Sequence, residues 1–258
     1  VFFVSVIIPT LNEAPVLDAT LRALEKNATR HEVIVVDGGS TDGTLALARS
    51  HGTRVVTCRW KNRSRQMNEG RKAARGGTLL FLHADTLVDP TALETLSHML
   101  ATRSAVGGGF VRRYASSSKF LRLTCHLATW RCQWFGWFLG DQAIFVTSPV
   151  FDALGGYQDM ALFEDLDFSR RMKSHGRLVT VPIPVLSSPR RFSHRGPWRT
   201  TLADLGLTVR YLLGRPSGRS KPPLSAVKKS PWAEPGRSDL SKFTAPRPSP
   251  GAGQPPGE

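Results

Sequence analysis

"GTLLFLHADT" (residues 77–86) sets an apolar run, Leu79 to Leu82, between a Gly-Gly-Thr entry and a polar exit that carries His83 and Asp85. A short apolar run bounded by turn formers reads as a strand covered on both faces, the kind found at the centre of a parallel sheet. In open α/β sheets, ligands bind outside the carboxyl ends of the strands. The polar residues at 83 and 85 therefore fall where a ligand would sit.

Outward from this strand, "VSVIIPT" (4–10), "HEVIVVDGG" (31–39) and "TRVVTC" (53–58) are further strand candidates. Helical patterns separate them. "NEAPVLDATLRALEKN" (12–27) places Leu17, Leu21 and Leu24 on one face; "STDGTLALARSHG" (40–52) opens on Ser, Thr and Asp caps and stops at Gly52; "SRQMNEGRKAARGG" (64–77) is a third helix. This β-α-β-α-β-α-β order implies a parallel sheet with helices on its faces. "DPTALETLSHMLATR" (89–103) predicts a fourth helix, with Asp89 as its cap and Pro90 at its first position. Beyond it come a Gly-rich strand "AVGGGFVRRY" (105–114), an aromatic and basic helix in "SKFLRLTCHLATWRCQWFGWF" (118–138), a strand and short helix in "DQAIFVTSPVFDALGG" (141–156), a helix "EDLDFSRRMKSHG" (164–176) and a strand "RLVTVPIPVLS" (177–187). No internal repeat of fixed period is present.

The chain has 258 residues, of which 40% are hydrophobic, as expected of one ordinary α/β domain. That domain is placed at residues 1–216. Residues 217–258, rich in Pro, Ser, Gly and Lys/Arg without apolar periodicity, are expected to form a disordered tail. Cys58, Cys125 and Cys132 match neither a disulfide framework nor a zinc spacing, which favours a reducing, cytoplasmic location. The opening "VFFVSVIIPT" lacks a basic leader and a small-residue cleavage site, and Pro9 ends it too early for a membrane span. A net charge of +15 suits nucleic acid, an anionic membrane face or a phosphorylated small molecule.

Four acidic sites follow strands or open helices: Glu13, Asp37, Asp85 and the pair Glu164-Asp165. Each alone reads as a turn or cap residue. Gathered at one sheet edge, they read instead as a place for a divalent metal, a polyol or a base edge. "VIVVDGGSTDGT" (33–44) is not a dinucleotide fingerprint, because Asp37 precedes glycines of a different spacing, and no Gly-x-x-x-x-Gly-Lys phosphate loop occurs. A carboxylate directly after a strand can still accept from a ribose hydroxyl or the imide N–H of uracil.

Five segments in order, "VSVIIPTLNEAPVL", "EVIVVDGGSTDGT", "RSRQMNEG", "LLFLHADT" and "FEDLDFSRR", resemble a family 2 glycosyltransferase of GT-A fold. With "GDQAIFV" and "ALGGY", the His83-Ala84-Asp85 triplet is similar to the bacterial subgroup called rSAM/selenodomain-associated transferase 2, or arsenosugar-biosynthesis-like glycosyltransferases. The resemblance spans about Val4 to Pro216. It implies that Pro9, Asn12, Glu13 and Asp37 line the nucleotide pocket, that Asn68 lies near the donor sugar or ribose, and that Arg65 approaches the phosphates. Asp85 matches the last acid of the Asp-x-Asp motif that carries metal and diphosphate. Asp165 matches the catalytic base, with Glu164 beside it.

His83 stands where that motif has its first acid. A neutral imidazole can ligate Mn²⁺ or donate to a ribose hydroxyl but brings no negative charge, and a packed strand-end residue is the plain alternative. A later His, here His194 in "RRFSHRGPWRT" (190–200), is the further metal ligand the resemblance suggests, and a solvated basic loop carrying Arg195 and Arg199 is the plain reading of the same segment. The implied reaction is inverting transfer from a nucleotide-sugar donor, most simply a UDP-sugar, with Mn²⁺ or Mg²⁺, to an unidentified acceptor. The Gln-x-x-Arg-Trp segment of processive relatives is missing, which argues against polymer extension. Trp130, Trp134, Phe135, Trp137 and Phe138 read as core, as a sugar-stacking surface, or as a peripheral contact with the inner face of the membrane. A sugar-phosphate nucleotidyltransferase and a basic nucleic-acid-binding protein are the alternatives; the second has no recognised binding module in its favour.

Overall fold

The computed structural model describes residues 2–160, 162–192 and 196–213. Strands β1 (Val4–Thr10), β2 (His31–Asp37), β3 (Arg54–Thr57) and β4 (Thr78–Phe81) alternate with helices α1 (Ala14–Glu25), α2 (Thr44–Ser50) and α3 (Arg63–Ala73). A two-residue strand β5 (Thr86–Leu87), absent from the sequence reading, precedes α4 (Ala92–Arg103). Then come β6 (Ala105–Tyr114), α5 (Lys119–Phe135), β7 (Ile144–Thr147), α6 (Ser148–Ala153), α7 (Glu164–Lys173), β8 (Arg177–Ser187) and α8 (Pro197–Leu212).

The eight strands form one sheet in the order β3-β2-β1-β4-β7-β6-β8-β5. The first four pair in parallel, as the strand and helix alternation requires. β7 runs antiparallel to both β4 and β6, and β8 pairs parallel with β6 and antiparallel with β5, so the sheet is mixed in its second half. β1 lies between β2 and β4. From it the chain winds outward to β3 and then returns to β4 on the other side. This reversal is the switch point at which an open α/β sheet leaves a crevice, and Pro9, Thr10 and His83 stand at its mouth.

β1 and β4 are covered on both faces, which is why their sequences read as nearly continuous apolar runs. Alternation still sorts the side chains of β1. Val4, Val6 and Ile8 join Leu17, Leu21 and Leu24 of α1 on one side, and Ile7 joins Met67, Phe81 and Phe168 on the other. Gly70 lets α3 lie close on β1, since a Cβ there would come 2.3 Å from Ile7 Cγ2.

Three local readings change. α2 starts at Thr44 with Gly43 before it; Asp42 contributes by accepting from the Thr44 N–H at 3.0 Å. Asp89 does not cap α4 directly, and Pro90 lies ahead of the helix: the Asp89 carboxylate accepts from the Thr91 N–H at 2.9 Å and the Thr91 hydroxyl at 2.7 Å, building a turn in front of it. Part of the expected basic loop is instead α8, which Pro197 opens at a position that needs no N–H donor. The proposed tail, residues 217–258, and His194 and Arg195 lie outside the described residues.

Candidate active site

Of the acids expected at one sheet edge, all but Asp37 are held in two pairs, each by one arginine. Arg190, just after β8, donates to Glu13 through Nη1 at 2.7 Å and Nη2 at 2.9 Å, and its Nε lies 2.9 Å from Asp85 Oδ2. Arg63, at the start of α3, donates from Nη2 to His83 Nε2 at 2.9 Å, and its Nη1 lies 3.4 Å from Glu164 Oε1 and 3.5 Å from Asp165 Oδ2. Guanidinium has no acceptor, so His83 must offer a lone pair at Nε2 and carry its proton on Nδ1.

Glu164 and Asp165 are both buried in the first turn of α7, where the N-terminal end of the helix dipole favours negative charge. Phe163, immediately before them, has φ 67°, a left-handed conformation uncommon for a bulky residue, and this sets the direction in which the pair enters the site. Burial is the main cause that pushes the Asp165 carboxyl up to about 7; Glu164 adds to it, Arg63 opposes it and Asp141 adds again. Burial also raises Asp85, against the pull of Arg190 and with the push of Glu13. Asp141 behaves oppositely: burial raises it, but Arg112 and a hydrogen bond from the Tyr114 hydroxyl at 3.0 Å bring it down to about 2.

A small hollow is lined by Pro9, Met67, His83, Gly140, Tyr157 and Asp165 among others, so the mouth of the switch point and the start of α7 face one space. The Tyr157 hydroxyl and Asp141 Oδ1 are buried without a hydrogen-bond partner among the described residues, unused polar capacity close to the acids. Gly140 is part of the wall. A Cβ there would lie 2.3 Å from Asp165 Oδ2 and 2.5 Å from His83 Nε2. Gly140→Ala is accordingly expected to lower stability by about 1–3 kcal/mol, the usual cost of overpacking, as read from urea unfolding. A variant as stable as the parent would show that the wall can move aside.

The other candidates are placed less directly. Asp37 is buried, and its carboxylate accepts from the Gly39 and Ser40 N–H groups, each at 2.9 Å, and from the Ser40 hydroxyl. Asn12, with φ 56°, accepts from the Thr41 N–H at 2.8 Å and joins the loop after β1 to the loop after β2. Ala84 is buried, its carbonyl accepting from the Thr20 hydroxyl at 2.7 Å. Asn68 clamps the Tyr157 backbone, donating to its carbonyl at 2.8 Å and accepting from its N–H at 2.9 Å. Arg65 is ion-paired with Asp159 and stacked 4.1 Å over Trp60. Two positions on a helix differ by roughly 200° of rotation, so Arg63 and Arg65 point to different sides, and it is Arg63 that reaches the acids. The sequence reading missed Arg63, Arg190, Asp141 and Tyr157. Each stood in a segment already singled out, Arg63 in "RSRQMNEG", Asp141 in "GDQAIFV", Tyr157 in "ALGGY" and Arg190 in "RRFSHRGPWRT", but nothing in those segments marked it over its neighbours.

Among the described residues, no three His, Cys, Asp or Glu side chains gather as a protein cage for a metal ion. A Mg²⁺-type site needs only one or two carboxylates beside substrate phosphates. Glu13 and Asp85 provide such a pair, and three of their oxygens already surround one cation, the Arg190 guanidinium. The oxygen donors thus fit a hard divalent ion. The Nε2 lone pair of His83 is turned to Arg63 at 2.9 Å.

The family model described as "Glycosyl transferase family 2" matches residues 5–157. The chain is 31% identical over 198 residues to the PGL/p-HBAD biosynthesis glycosyltransferase of Mycobacterium tuberculosis, covering 68% of this chain and 72% of that protein. Over 123 residues it is 29% identical to the 4,4'-diaponeurosporenoate glycosyltransferase of Staphylococcus aureus, covering 45% of this chain and 33% of that one. Among solved structures, the mannosyltransferase PcManGT from Pyrobaculum calidifontis, in complex with GDP-Man and Mn²⁺, has TM-score 0.66 at 20% identity over 85% of this chain and 66% of its own. S. aureus TarS 1–349 in complex with UDP-GlcNAc has TM-score 0.61 at 16% identity over 75% of this chain and 60% of its own. At these identities the two structures report on fold, which is the GT-A arrangement.

Proposed function

We propose that this chain, which belongs to glycosyl transferase family 2, moves a sugar from a nucleoside-diphosphate donor, a UDP-sugar, to a hydroxyl acceptor by one inverting displacement. The observation that carries this reading is Asp165, a buried carboxylate at a helix N-terminus that lines the hollow at the switch point and has its pKa drawn to about 7. A base poised near the working pH is suited to taking a proton in the transition state.

In the displacement, the acceptor oxygen bonds to the anomeric carbon as the bond to the diphosphate breaks. The acceptor proton passes to Asp165, and the electron pair leaves with the diphosphate. Glu164 and His83 hold Arg63 beside Asp165, so that its fixed positive charge stands where charge is redistributed. Pro9, Asn12, Glu13 and Asp37 form the nucleotide end. Asp37 already accepts from Gly39, Ser40 and Thr10, and it would take a ribose hydroxyl or the uracil imide by exchanging one of these, the Thr10 hydroxyl at 3.4 Å being the longest. A divalent ion would be held by Asp85 and Glu13, and bound there it would supply neutralising charge to the leaving diphosphate. The donor class is supported by the GDP-Man and UDP-GlcNAc complexes of the two structural neighbours. All three cysteines are free and buried, which suits a reducing, cytoplasmic compartment.

Thermal denaturation with UDP or GDP, each with and without Mn²⁺, tests the donor site. UDP with Mn²⁺ at about 100 times its dissociation constant is expected to stabilise the protein by roughly 2.7 kcal/mol. GDP acting better than UDP would reassign the base, and no response to either nucleotide would remove the donor site altogether.

A further inference from the structure

α5 carries two apolar stripes. Leu121, Cys125, Ala128 and Cys132 are buried, and the helix packs on β6 and β8. Two residues out of phase, and so on the opposite face, Leu123, Leu127, Trp130 and Trp134 are exposed, Trp134 at 69%. α8 repeats this spacing: Trp198, Leu202, Leu205, Val209 and Leu212 are all exposed, Trp198 at 63%. The stripes meet at one end, where Phe120, about one turn before Leu123, stacks on Trp198 with ring centroids 3.8 Å apart. Single exposed leucines are ordinary, but two joined stripes with three tryptophans are not.

Charge selects what covers them. Lys119 and Arg122 are exposed on α5, which has no acid, and Arg199 is exposed on α8, whose one acid, Asp204, is half-buried. The sequence directly after α8 adds Arg215, Arg219, Lys221, Lys228 and Lys229. Two copies of this chain, each of net charge +15, would set basic surfaces against each other. An anionic bilayer meets both features, because amphipathic helices with adjoining Lys/Arg clusters bind anionic headgroups and tryptophan favours the lipid–water boundary. No helix among the described residues is long and apolar enough to cross a membrane, so the contact lies in the surface plane. We infer that the exposed faces of α5 and α8 dock this protein on an anionic membrane surface. Tyr211, on the opposite side of α8 from this stripe, stacks on Phe163 at 5.1 Å, directly before Glu164, so the helix that carries the docked stripe is joined by its inner side to the candidate active site.

The full-length protein should co-sediment with vesicles of phosphatidylcholine and phosphatidylglycerol, far less with phosphatidylcholine alone, and less as salt rises. Leu127→Ser, Trp130→Ser and Trp134→Ser together should weaken this by about tenfold or more, given what burial of one large apolar side chain is worth. Lys119→Gln and Arg122→Gln should each weaken it about fivefold. Melting temperature and UDP binding serve as controls that these surface changes leave untouched, and they keep the docking test separate from the catalytic reading. Absence of vesicle binding, or binding that ignores the serine substitutions, would overturn the proposal. So would a stable dimer in sedimentation velocity that the serine substitutions dissociate.

Discussion

Replacing Asp165 by Asn is expected to lower the rate of sugar transfer by roughly 10²–10⁴, the range a positioned general base contributes, with UDP and Mn²⁺ still bound as by the parent. The substitution keeps the side-chain volume in a buried place and removes the group that takes the proton. Single-turnover kinetics with saturating donor would read the chemical step directly. In the parent, kcat/KM should rise as pH increases through about 7, because the active form is the carboxylate and its pKa stands there. The Asn variant should keep a low rate without that rise. Stability supplies an independent readout. The folded pKa lies above the ordinary value of 3.8, so the folded protein holds this proton where the unfolded chain has released it. The contribution is full below about pH 4 and is lost as pH rises toward about 7. The Asn variant should lose less stability than the parent across that window. Unchanged transfer would move the base to another group, and Glu164 would be the first to try.

Asp85→Asn should fail in a different way. Arg190 would lose one of its two carboxylate partners, and the oxygen pair suited to a divalent ion would be reduced to Glu13. Mn²⁺-dependent UDP binding should fall by at least roughly 10–100-fold, which even the outer partners of metal ligands are worth, and transfer should fall with it. Calorimetric titration of UDP with and without Mn²⁺ on both variants separates the two roles. Asp85→Asn loses the metal-dependent part of binding, and Asp165→Asn keeps it. A variant at Asp85 that binds and transfers as the parent does would show that strand β4 ends at a packing residue and not at the donor site.

Much of this architecture could be read along the chain because its causes are local. A strand buried on both faces must be largely apolar, and β1 and β4 were visible for that reason. The acids at 13, 37, 85, 164 and 165 were legible as strand-end and helix-start residues, and strand ends at a switch point are where a parallel sheet opens. α8 was not legible as a structured element. Its apolar positions recur regularly, but they face outward, and a basic, proline-opened segment beside a low-complexity stretch offers no core signal.

The pairing of charges depended on the tertiary structure. Arg190 meets Glu13 across 177 positions of sequence, and Arg63 meets Glu164 across 101. Nothing local selects Arg63 over Arg65: both belong to the same motif, and rotation about α3 sends one to the acids and the other to Asp159 and Trp60. Residue type and spacing determine which elements form and where an α/β sheet opens, because those depend on periodicity and backbone hydrogen bonding. Which arginine neutralises which acid, and that Asp165 is held near neutrality while Asp141 is held near 2, follow from burial and distance, which exist only once remote segments pack together.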